Sequence, residues 1–574
     1  MKHDSIKSSL RLVVAAIVGG VIAREALPEY WVYLATSVLI TAIVLQSLGL
    51  VVSRAGMISL CQMSFAGVGA WVVGWLNVAG APGGLIVWTL IGGLAAVPFG
   101  VAIGLPALRL RGVNLAIVTL GFASAFDMVL ATINFPGQTN FLSVARPALF
   151  ASDGNYFVLV LAFYVAVSVG LEFLARSRLG ASWLALRHSE RAAASNGVNI
   201  PAAKVSAFAI SAFIAGLSGG LLAGFLGTVV SSNFSVMQSL AMFAVAIMAG
   251  SFFPEGALIG GLLVVLVPQI LRTFGLAQDW GNVLFAVGAT QALSTGEAIS
   301  EAVRKVARKI PWPRSTKAGP EGVADGKKLP APLRLDRSTD ALRIEALSVR
   351  YGQLVALDDV DLSVPVGEVM GLIGPNGAGK STLIDAVSGF LAHYEGRVSV
   401  AGEKFDGRRA HLRARGGIRR TWQTTRIAPE LTVGQYMRLA AGRLREDQLR
   451  AVLDWLECAD ARMLVSSLDA GTRRLLDVAG AVAARPAVVL LDEPAAGQSY
   501  DDAYELGNHI ARIPTLFGSA VLLVEHDMDL IRLACSSVAV LDFGAVVATG
   551  RTREVLDDAS VKRAYLGIAE EAMA

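Results

Sequence analysis

Three separated groups of residues in the second half of the chain have the types and spacing for phosphate chemistry. Gly374-Pro375-Asn376-Gly377-Ala378-Gly379-Lys380-Ser381-Thr382 satisfies G-x-x-x-x-G-K-[ST]. The apolar run 368–373 before it predicts a buried strand and 383–391 after it a helix, the context this pattern needs. Its glycines let backbone N–H groups face a β-phosphate at a helix N-terminus, with Lys380 reaching the β/γ-phosphates and the Ser381 hydroxyl ligating Mg²⁺. The second group closes a predicted strand, Ala487-Val488-Val489-Leu490-Leu491-Asp492-Glu493-Pro494. Asp492 suits Mg²⁺ coordination through water, and Glu493 is placed as a base that polarises attacking water. The third closes another, Val521-Leu522-Leu523-Val524-Glu525-His526-Asp527, whose His526 suits a γ-phosphate contact.

Two further residues join this set. Tyr351, before Gly352, is placed to stack on a purine; Gln423, in Arg420-Thr421-Trp422-Gln423-Thr424, suits Mg²⁺ ligation or water positioning. Taken singly, each has an ordinary structural reading: a tyrosine or histidine ending a strand, an exposed loop amide.

The elements that position these groups occupy only part of the chain. With 574 residues, 54% hydrophobic, 17% charged and mean hydropathy +0.56, the sequence is too apolar for a soluble enzyme of its length. Residues 1–300 hold 24 of the 96 Asp, Glu, Lys and Arg, leaving 72 for the remaining 274 residues. A membrane half therefore precedes a soluble half. The net charge of +4 is small and gives no sign of a nucleic-acid partner. Cys61, Cys458 and Cys535 are isolated, which argues for reduced thiols and against a disulfide framework or zinc site. The basic start leads through an apolar run to Ala23-Arg24-Glu25-Ala26, which is no small-residue cleavage pattern, so that run is expected as a retained span.

At about 20 apolar residues per crossing, ten spans are expected, near 11–26, 33–52, 58–78, 85–107, 113–134, 156–174, 205–226, 237–254, 257–274 and 279–296. A cytoplasmic N-terminus puts Lys2, Lys7, Arg11, Arg54, Arg109, Arg111, Arg176, Arg178, Arg187, Arg191 and Lys204 inside, and only Arg24, Arg146 and Arg272 outside. The even number returns the chain to the side of the nucleotide. The longest inner loop, 176–204, predicts one short helix from Trp183 to Ala194, stopped by Asn196-Gly197. It reads either as a helix docking on the ATPase or as a solvated basic loop. Asp127, within the fifth span, is a functional candidate by default or an interhelical hydrogen-bond partner. Gln46, Gln62 and Gln238 are polar groups facing a pore or another helix. The stretch 301–340, rich in Lys, Arg, Pro and Gly, reads as a flexible cytoplasmic tether, with Trp312 at the headgroups.

The membrane half resembles the permeases of branched-chain amino acid ABC importers. The matching stretches are Ala55-Gly56-Met57-Ile58-Ser59-Leu60, Gly104-Leu105-Pro106-Ala107-Leu108-Arg109-Leu110-Arg111-Gly112, the inner loop with Gly197-Val198-Asn199, and Gly256-Ala257-Leu258-Ile259-Gly260-Gly261. The order of phosphate loop, Gln, strand-Asp-Glu and strand-His over about 342–567 resembles ABC ATPases; Pro494-Ala495-Ala496-Gly497 and Tyr565-Leu566-Gly567 look like those of the same importers. The resemblance implies a multi-domain chain: an all-α permease domain of about ten transmembrane helices (1–300), the linker (301–340) and an α/β ABC-type P-loop ATPase domain (341–574). It implies ATP and Mg²⁺ as cofactors. Tyr351, Gly374, Asn376, Gly377, Gly379, Lys380, Ser381, Thr382 and Asp492 would bind nucleotide; Ser381, Gln423 and Asp492 the metal; Glu493, His526 and Gln423 would act in catalysis.

One departure stands out. Where the family's signature, L-S-x-G-x, meets ATP bound by the opposite ATPase, this chain has Leu468-Asp469-Ala470-Gly471-Thr472; the D-loop is also altered, at Gln498-Ser499-Tyr500. Gly471 is kept, but Asp469 would face a γ-phosphate, a like-charge contact costing on the order of several kcal/mol at about 4 Å. Alternatively Asp469 simply caps its helix, as Ser would.

The expectation is thus ATP-driven uptake of branched-chain or other hydrophobic amino acids across the cytoplasmic membrane. A second permease subunit, a second ABC ATPase and an extracytoplasmic solute-binding protein would be its partners. Urea, amides and small carboxylates are alternative solutes; an exporter or a nucleotide-regulated channel are alternative classes.

Overall fold

The computed structural model describes residues 19–20, 24–140, 142–309, 329–336, 338–442, 444–558 and 561. The chain forms two compact units, one from Met1–Trp183 with Pro201–Gly319 and one from Leu184–Ile200 with Pro320–Ala574.

The helices of the first half are α1 (Glu29–Gly49), α2 (Gln62–Val78), α3 (Gly84–Gly104), α4 (Val113–Ile133), α5 (Asp153–Arg176), α6 (Arg178–His188), α7 (Glu190–Ser195), α8 (Ile200–Leu226), α9 (Val236–Ala249), α10 (Pro254–Thr273), α11 (Trp280–Thr295) and α12 (Ile299–Lys309). Among the described residues seven helices are long and apolar enough to cross a membrane: α1 with its π-helical extension to Arg54, α3, α4, α5, α8, α9 extended back to Ser231, and α10. Two more of the ten expected crossings fall on helices that are not among these seven, α2, of 17 residues, and α11, of 16. The first, 11–26, lies largely outside the described residues. Close helix approach is set by small residues: a Cβ on Gly69 of α2 would strike the backbone of Gly216 in α8, and one on Gly219 the carbonyl of Ala66.

Between Arg54 and α2 the backbone is unwound, and neighbouring helices satisfy it. Leu60 N donates to Thr119 Oγ1 at 3.1 Å and Met63 N to Ser239 Oγ at 3.3 Å. Irregular backbone is tolerated within a membrane domain only where protein supplies such partners. Gln46 and Gln62 tie helices together, each donating through Nε2 to a serine, Ser168 Oγ at 2.7 Å and Ser211 Oγ at 2.6 Å. Asp127 accepts from Val236 N at 3.4 Å at the start of α9, an interhelical bond. Gln238 is half-buried.

The inner loop is two helices rather than one. Ser189 breaks the run and caps α7, its Oγ accepting from Ala192 N at 3.2 Å; a serine hydroxyl competes for backbone donors and so favours a cap over a helix interior. The stretch expected as a flexible tether also begins as a helix, α12, because Ile299, Ala302, Val303 and Val306 recur at helical spacing. At its other end it is held: Leu333 N donates to Phe517 O at 2.8 Å. Trp312 lies outside the described residues.

The second unit has β1 (Asp340–Tyr351), β2 (Leu354–Pro365), β3 (Val369–Ile373), α13 (Lys380–Ser388), β4 (Glu395–Val400), β5 (Glu403–Lys404), α14 (Ala410–Gly416), β6 (Ile418–Arg420), α15 (Val433–Ala441), α16 (Glu446–Trp455), α17 (Ala470–Ala483), β7 (Val488–Asp492), α18 (Tyr500–Phe517), β8 (Ala520–Val524), α19 (Met528–Ala534), β9 (Ser537–Asp542), β10 (Ala545–Arg551) and α20 (Thr552–Asp557). One sheet is antiparallel, in the order β2-β1-β4-β5; the other runs β10-β9-β3-β8-β7-β6, parallel from β9 to β6. Strands β3, β7 and β8 are buried at every position, the continuous apolar runs that parallel sheets require. Leu342, Val360, Leu372, Leu383, Leu490 and Leu522 share one core that joins both sheets to α13.

Candidate nucleotide site

The parallel register decides what meets at the strand ends. Val524 of β8 lies opposite both Leu372 of β3 and Asp492 of β7. The glycine loop after β3, the carboxylates ending β7 and the histidine after β8 therefore emerge side by side at the carboxyl edge, where open α/β sheets bind ligands. Gly377 and Gly379 have φ of +88° and +106°, a backbone region that L side chains rarely enter, so the loop's curvature depends on glycine there. Lys380 is folded onto its own loop, with Nζ donating to Gly374 O and, at 3.0 Å, to Pro375 O. Burial lowers its pKa, opposed by the charges of Glu493 and Asp492.

Glu493 has φ +47°, a conformation that costs about 1–3 kcal/mol in a non-glycine residue and recurs at functional sites. Its N–H donates to Val524 O at 2.9 Å. The carboxylate reaches both expected neighbours: Oε2 accepts from Gln423 Nε2 at 2.7 Å, and Oε1 lies 3.0 Å from His526 Nε2. Two residues from separate loops thus converge on one carboxylate. Glu525, buried beneath them, accepts from Ala495 N at 2.9 Å and His526 N at 3.1 Å and fixes both loops; its burial raises its pKa.

Asp492 is buried, which pushes its pKa up against the opposing Arg420, whose Nη2 donates to Asp492 Oδ2 at 3.2 Å. The donor set fits Mg²⁺. Ser381 Oγ, Gln423 Oε1 and Asp492 Oδ1 are hard oxygens that make no hydrogen bond to another described residue. No group of three His, Cys, Asp or Glu among the described residues is arranged to hold a metal ion. Asn376 and Thr382 lie in the same loop and α13, whereas Tyr351 ends β1 half-exposed.

Residues 184–200 pack within this unit, against the loop that carries Gln423. Trp422 Nε1 donates to Ser195 Oγ at 3.2 Å, Arg419 Nη1 to Ser195 O at 3.0 Å and Arg415 Nε to Gly197 O at 2.7 Å. Arg191 pairs with Asp385 Oδ2 at 2.6 Å and lies 4.9 Å over the Phe390 ring. Asp385 also receives Arg420, which stacks 4.2 Å over Trp422, so one arginine bridges Asp385 of α13 and Asp492. The docking alternative for the inner loop is the one realised.

The run 468–472, expected as a degenerate signature, lines no shared recess with the glycine loop. Asp469 caps α17: Oδ1 accepts from Thr472 N at 2.8 Å and Oδ2 from Thr472 Oγ1 at 2.7 Å, and these bonds hold its pKa below the usual carboxylate range. Gly471, Arg474, Thr424, Gly497 and Gln498 line one recess, to which residues 374–382 contribute nothing. Arg474 Nη2 donates to Gln423 O at 2.8 Å, joining α17 to the loop that meets Glu493. Asp477, buried in the same helix, accepts from Tyr436 Oη at 2.7 Å, and burial pushes it up to about 6.

Arg420, Asp385, Trp422, Arg191 and Glu525 were not singled out by sequence. For Arg420 and Trp422 a signal existed, since both stand beside Gln423. Nothing in the sequence pairs Arg191 with Asp385.

A glycine phosphate loop, a strand-end Asp-Glu and a histidine at adjacent parallel strands define an ABC-type ATPase, here in one chain with a membrane unit. Residues 28–288 match the model of the branched-chain amino acid transport system permease component, and 357–496 that of the ABC transporter ATPase. The branched-chain amino acid transport ATP-binding protein BraF of Pseudomonas aeruginosa is 32% identical over 252 residues, 40% of this chain and 99% of the relative. The lipopolysaccharide export ATP-binding protein LptB of Haemophilus influenzae is 33% identical over 235 residues, 39% of this chain and 97% of that one. The solved structure of a nucleotide-free ATP-binding cassette aligns over 40% of this chain and 100% of its own, at 28% identity and TM-score 0.36. The chain belongs to the branched-chain amino acid ABC transport family, as a permease fused to its ATP-binding component. It is an ATP hydrolase coupled to transport.

Proposed function

We propose that this chain drives uptake of branched-chain or other hydrophobic amino acids across the cytoplasmic membrane. The import reading follows the permease match; the likeness to an export ATPase concerns the cassette alone. ATP is cradled by the backbone of Gly374, Asn376, Gly377 and Gly379, with Lys380 turning from its carbonyl partners to the phosphates and Tyr351 against the base. Ser381, Gln423 and Asp492 would hold Mg²⁺, which would supply positive charge against the phosphate oxygens. Glu493 takes up the proton of the attacking water, while His526 and Gln423 orient that carboxylate, Gln423 positions the water and His526 contacts the γ-phosphate.

The observation that carries the coupling is the docking of Ser195 on Trp422, one residue from Gln423, and of Arg191 on Asp385. Movement of Gln423 with nucleotide state is thereby passed to the segment between α6 and α8. The basic residues of that segment support an orientation with the ATPase and the N-terminus on the cytoplasmic side. One chain supplies one cassette and one pore half, so a second permease and a second ATPase complete the transporter, and a solute-binding protein delivers cargo.

Reconstituting the complex in vesicles with labelled leucine tests this: ATP-dependent accumulation that requires the binding protein and is lost on Lys380→Ala supports it, and accumulation that persists in that variant overturns it. Thermal stabilisation of the binding protein by leucine, urea, amides or small carboxylates discriminates the solutes.

A further inference from the structure

Helix α12 (Ile299–Lys309) carries three distinct faces, and only one is covered by protein. The covered face holds Ser300 and Arg304. Ser300 is 1% exposed and donates from Oγ to Gly250 O at 3.1 Å; Arg304 pairs with Glu255 at 2.5 Å and lies 3.4 Å over the Phe253 ring. A second face is polar, with Glu301 and Lys305, the latter paired with Glu297. The third is apolar: Ile299, Ala302, Val303 and Val306 fall at i, i+3, i+4 and i+7, one stripe on a helix of 3.6 residues per turn. They stand out of the protein, with Ile299, Val303 and Val306 37%, 50% and 63% exposed.

Two observations identify what covers that stripe. Only residues 296–298 separate α12 from α11, a 16-residue helix of the same unit whose Leu284, Val287 and Leu293 are exposed apolar side chains. Gly296, at φ +69°, ends α11 with a left-handed turn, which stops the helix at that boundary. The outward apolar stripe is thus continuous in sequence with a second exposed apolar surface, on a unit whose described residues include seven helices long and apolar enough to cross a membrane. A short helix with an apolar face, a charged face and low net hydrophobicity is the form that lies in a membrane interface rather than across it.

We infer that α12 is an interfacial helix whose Ile299, Ala302, Val303 and Val306 insert into the headgroup–acyl boundary of the phospholipid bilayer, with Ser300 and Arg304 clamping it to the loop before α10. The helix then pins the start of the connection to the ATPase at the membrane surface. This rests on the chain's membrane character alone and not on the direction or cargo of transport.

Spin labels on single cysteines introduced at 302, 303, 306, 301 and 305 of the full-length chain, in a Cys458→Ser background and reconstituted in phosphatidylcholine/phosphatidylglycerol vesicles, test the inference. Collision with lipid-soluble oxygen and with a water-soluble nickel chelate is read at each site. The expected result is a higher oxygen-to-nickel ratio at 302, 303 and 306 than at 301 and 305. Equal nickel accessibility at all five sites, or shielding of 302, 303 and 306 from both reagents, would overturn it. Position 302 replaces only a small exposed alanine, so the result does not depend on tolerance of the valine substitutions.

Discussion

Trp422 donates from its indole nitrogen to Ser195 Oγ at 3.2 Å, and the very next side chain, Gln423, donates to Glu493 at 2.7 Å. Two adjacent residues therefore face opposite tasks: one holds the segment that joins two membrane helices, the other holds the carboxylate placed to activate water.

Trp422→Phe keeps the ring against Phe390 and the arginines but removes the N–H, leaving Ser195 Oγ without that donor. The loss of one hydrogen bond costs about 1 kcal/mol, too little to unfold the cassette. Nucleotide affinity is expected to stay unchanged while solute moved per ATP cleaved falls. Parallel measurement of phosphate release and labelled solute uptake in vesicles reads that ratio.

Glu493→Gln keeps the bond geometry toward Gln423 and His526 but removes the base. Phosphate release is expected to fall by about 10²–10⁴-fold, with ATP binding retained. Lys380→Ala loses binding itself. Equilibrium binding of a fluorescent ATP analogue separates the two effects.

Asp469→Ser exchanges one good helix cap for another, so the α17 start is expected to survive with little change in stability. The partner's ATP would no longer meet a carboxylate. If the two composite sites are unequal, as the Asp469 position predicts, turnover of the complex rises after this substitution, by up to about twofold when one site working becomes two. An unchanged rate, together with a Glu493→Gln variant that is not impaired, excludes the asymmetry.

Asp477 gives the cassette a pH dependence of defined sign. Its pKa is raised by burial to about 6, so the folded state holds a proton that the unfolded state, near the ordinary aspartate value, has released. The stability it contributes is fully present below about pH 4 and is lost as pH rises through about 6, a difference on the order of 3 kcal/mol. Asp477→Asn, which keeps an acceptor for Tyr436, is expected to remove that slope. Denaturant midpoints of the full chain and the variant at pH 4.5 and 7 show it as a gap that widens toward neutral pH.

The sequence alone determined those features that depend on local periodicity or on a contiguous pattern. The loop 374–382, the strand ends at Asp492 and His526, and the apolar helices of the membrane half follow from residue type and spacing, because a phosphate loop is one contiguous piece and a membrane span must satisfy its own backbone. The tertiary structure decided what depends on register and on docking between distant segments. Val524 stands opposite both Leu372 and Asp492, and that pairing, invisible along the chain, brings Glu493 to His526. Arg191 reaches Asp385 across 194 residues, and Arg420 is held between two carboxylates that no sequence spacing connects. Ser189 splitting one expected helix into two, and α12 where a flexible tether was expected, show the same limit. A hydroxyl that competes for a cap and an apolar stripe that finds an interface draw their effect from surroundings that the linear pattern does not contain.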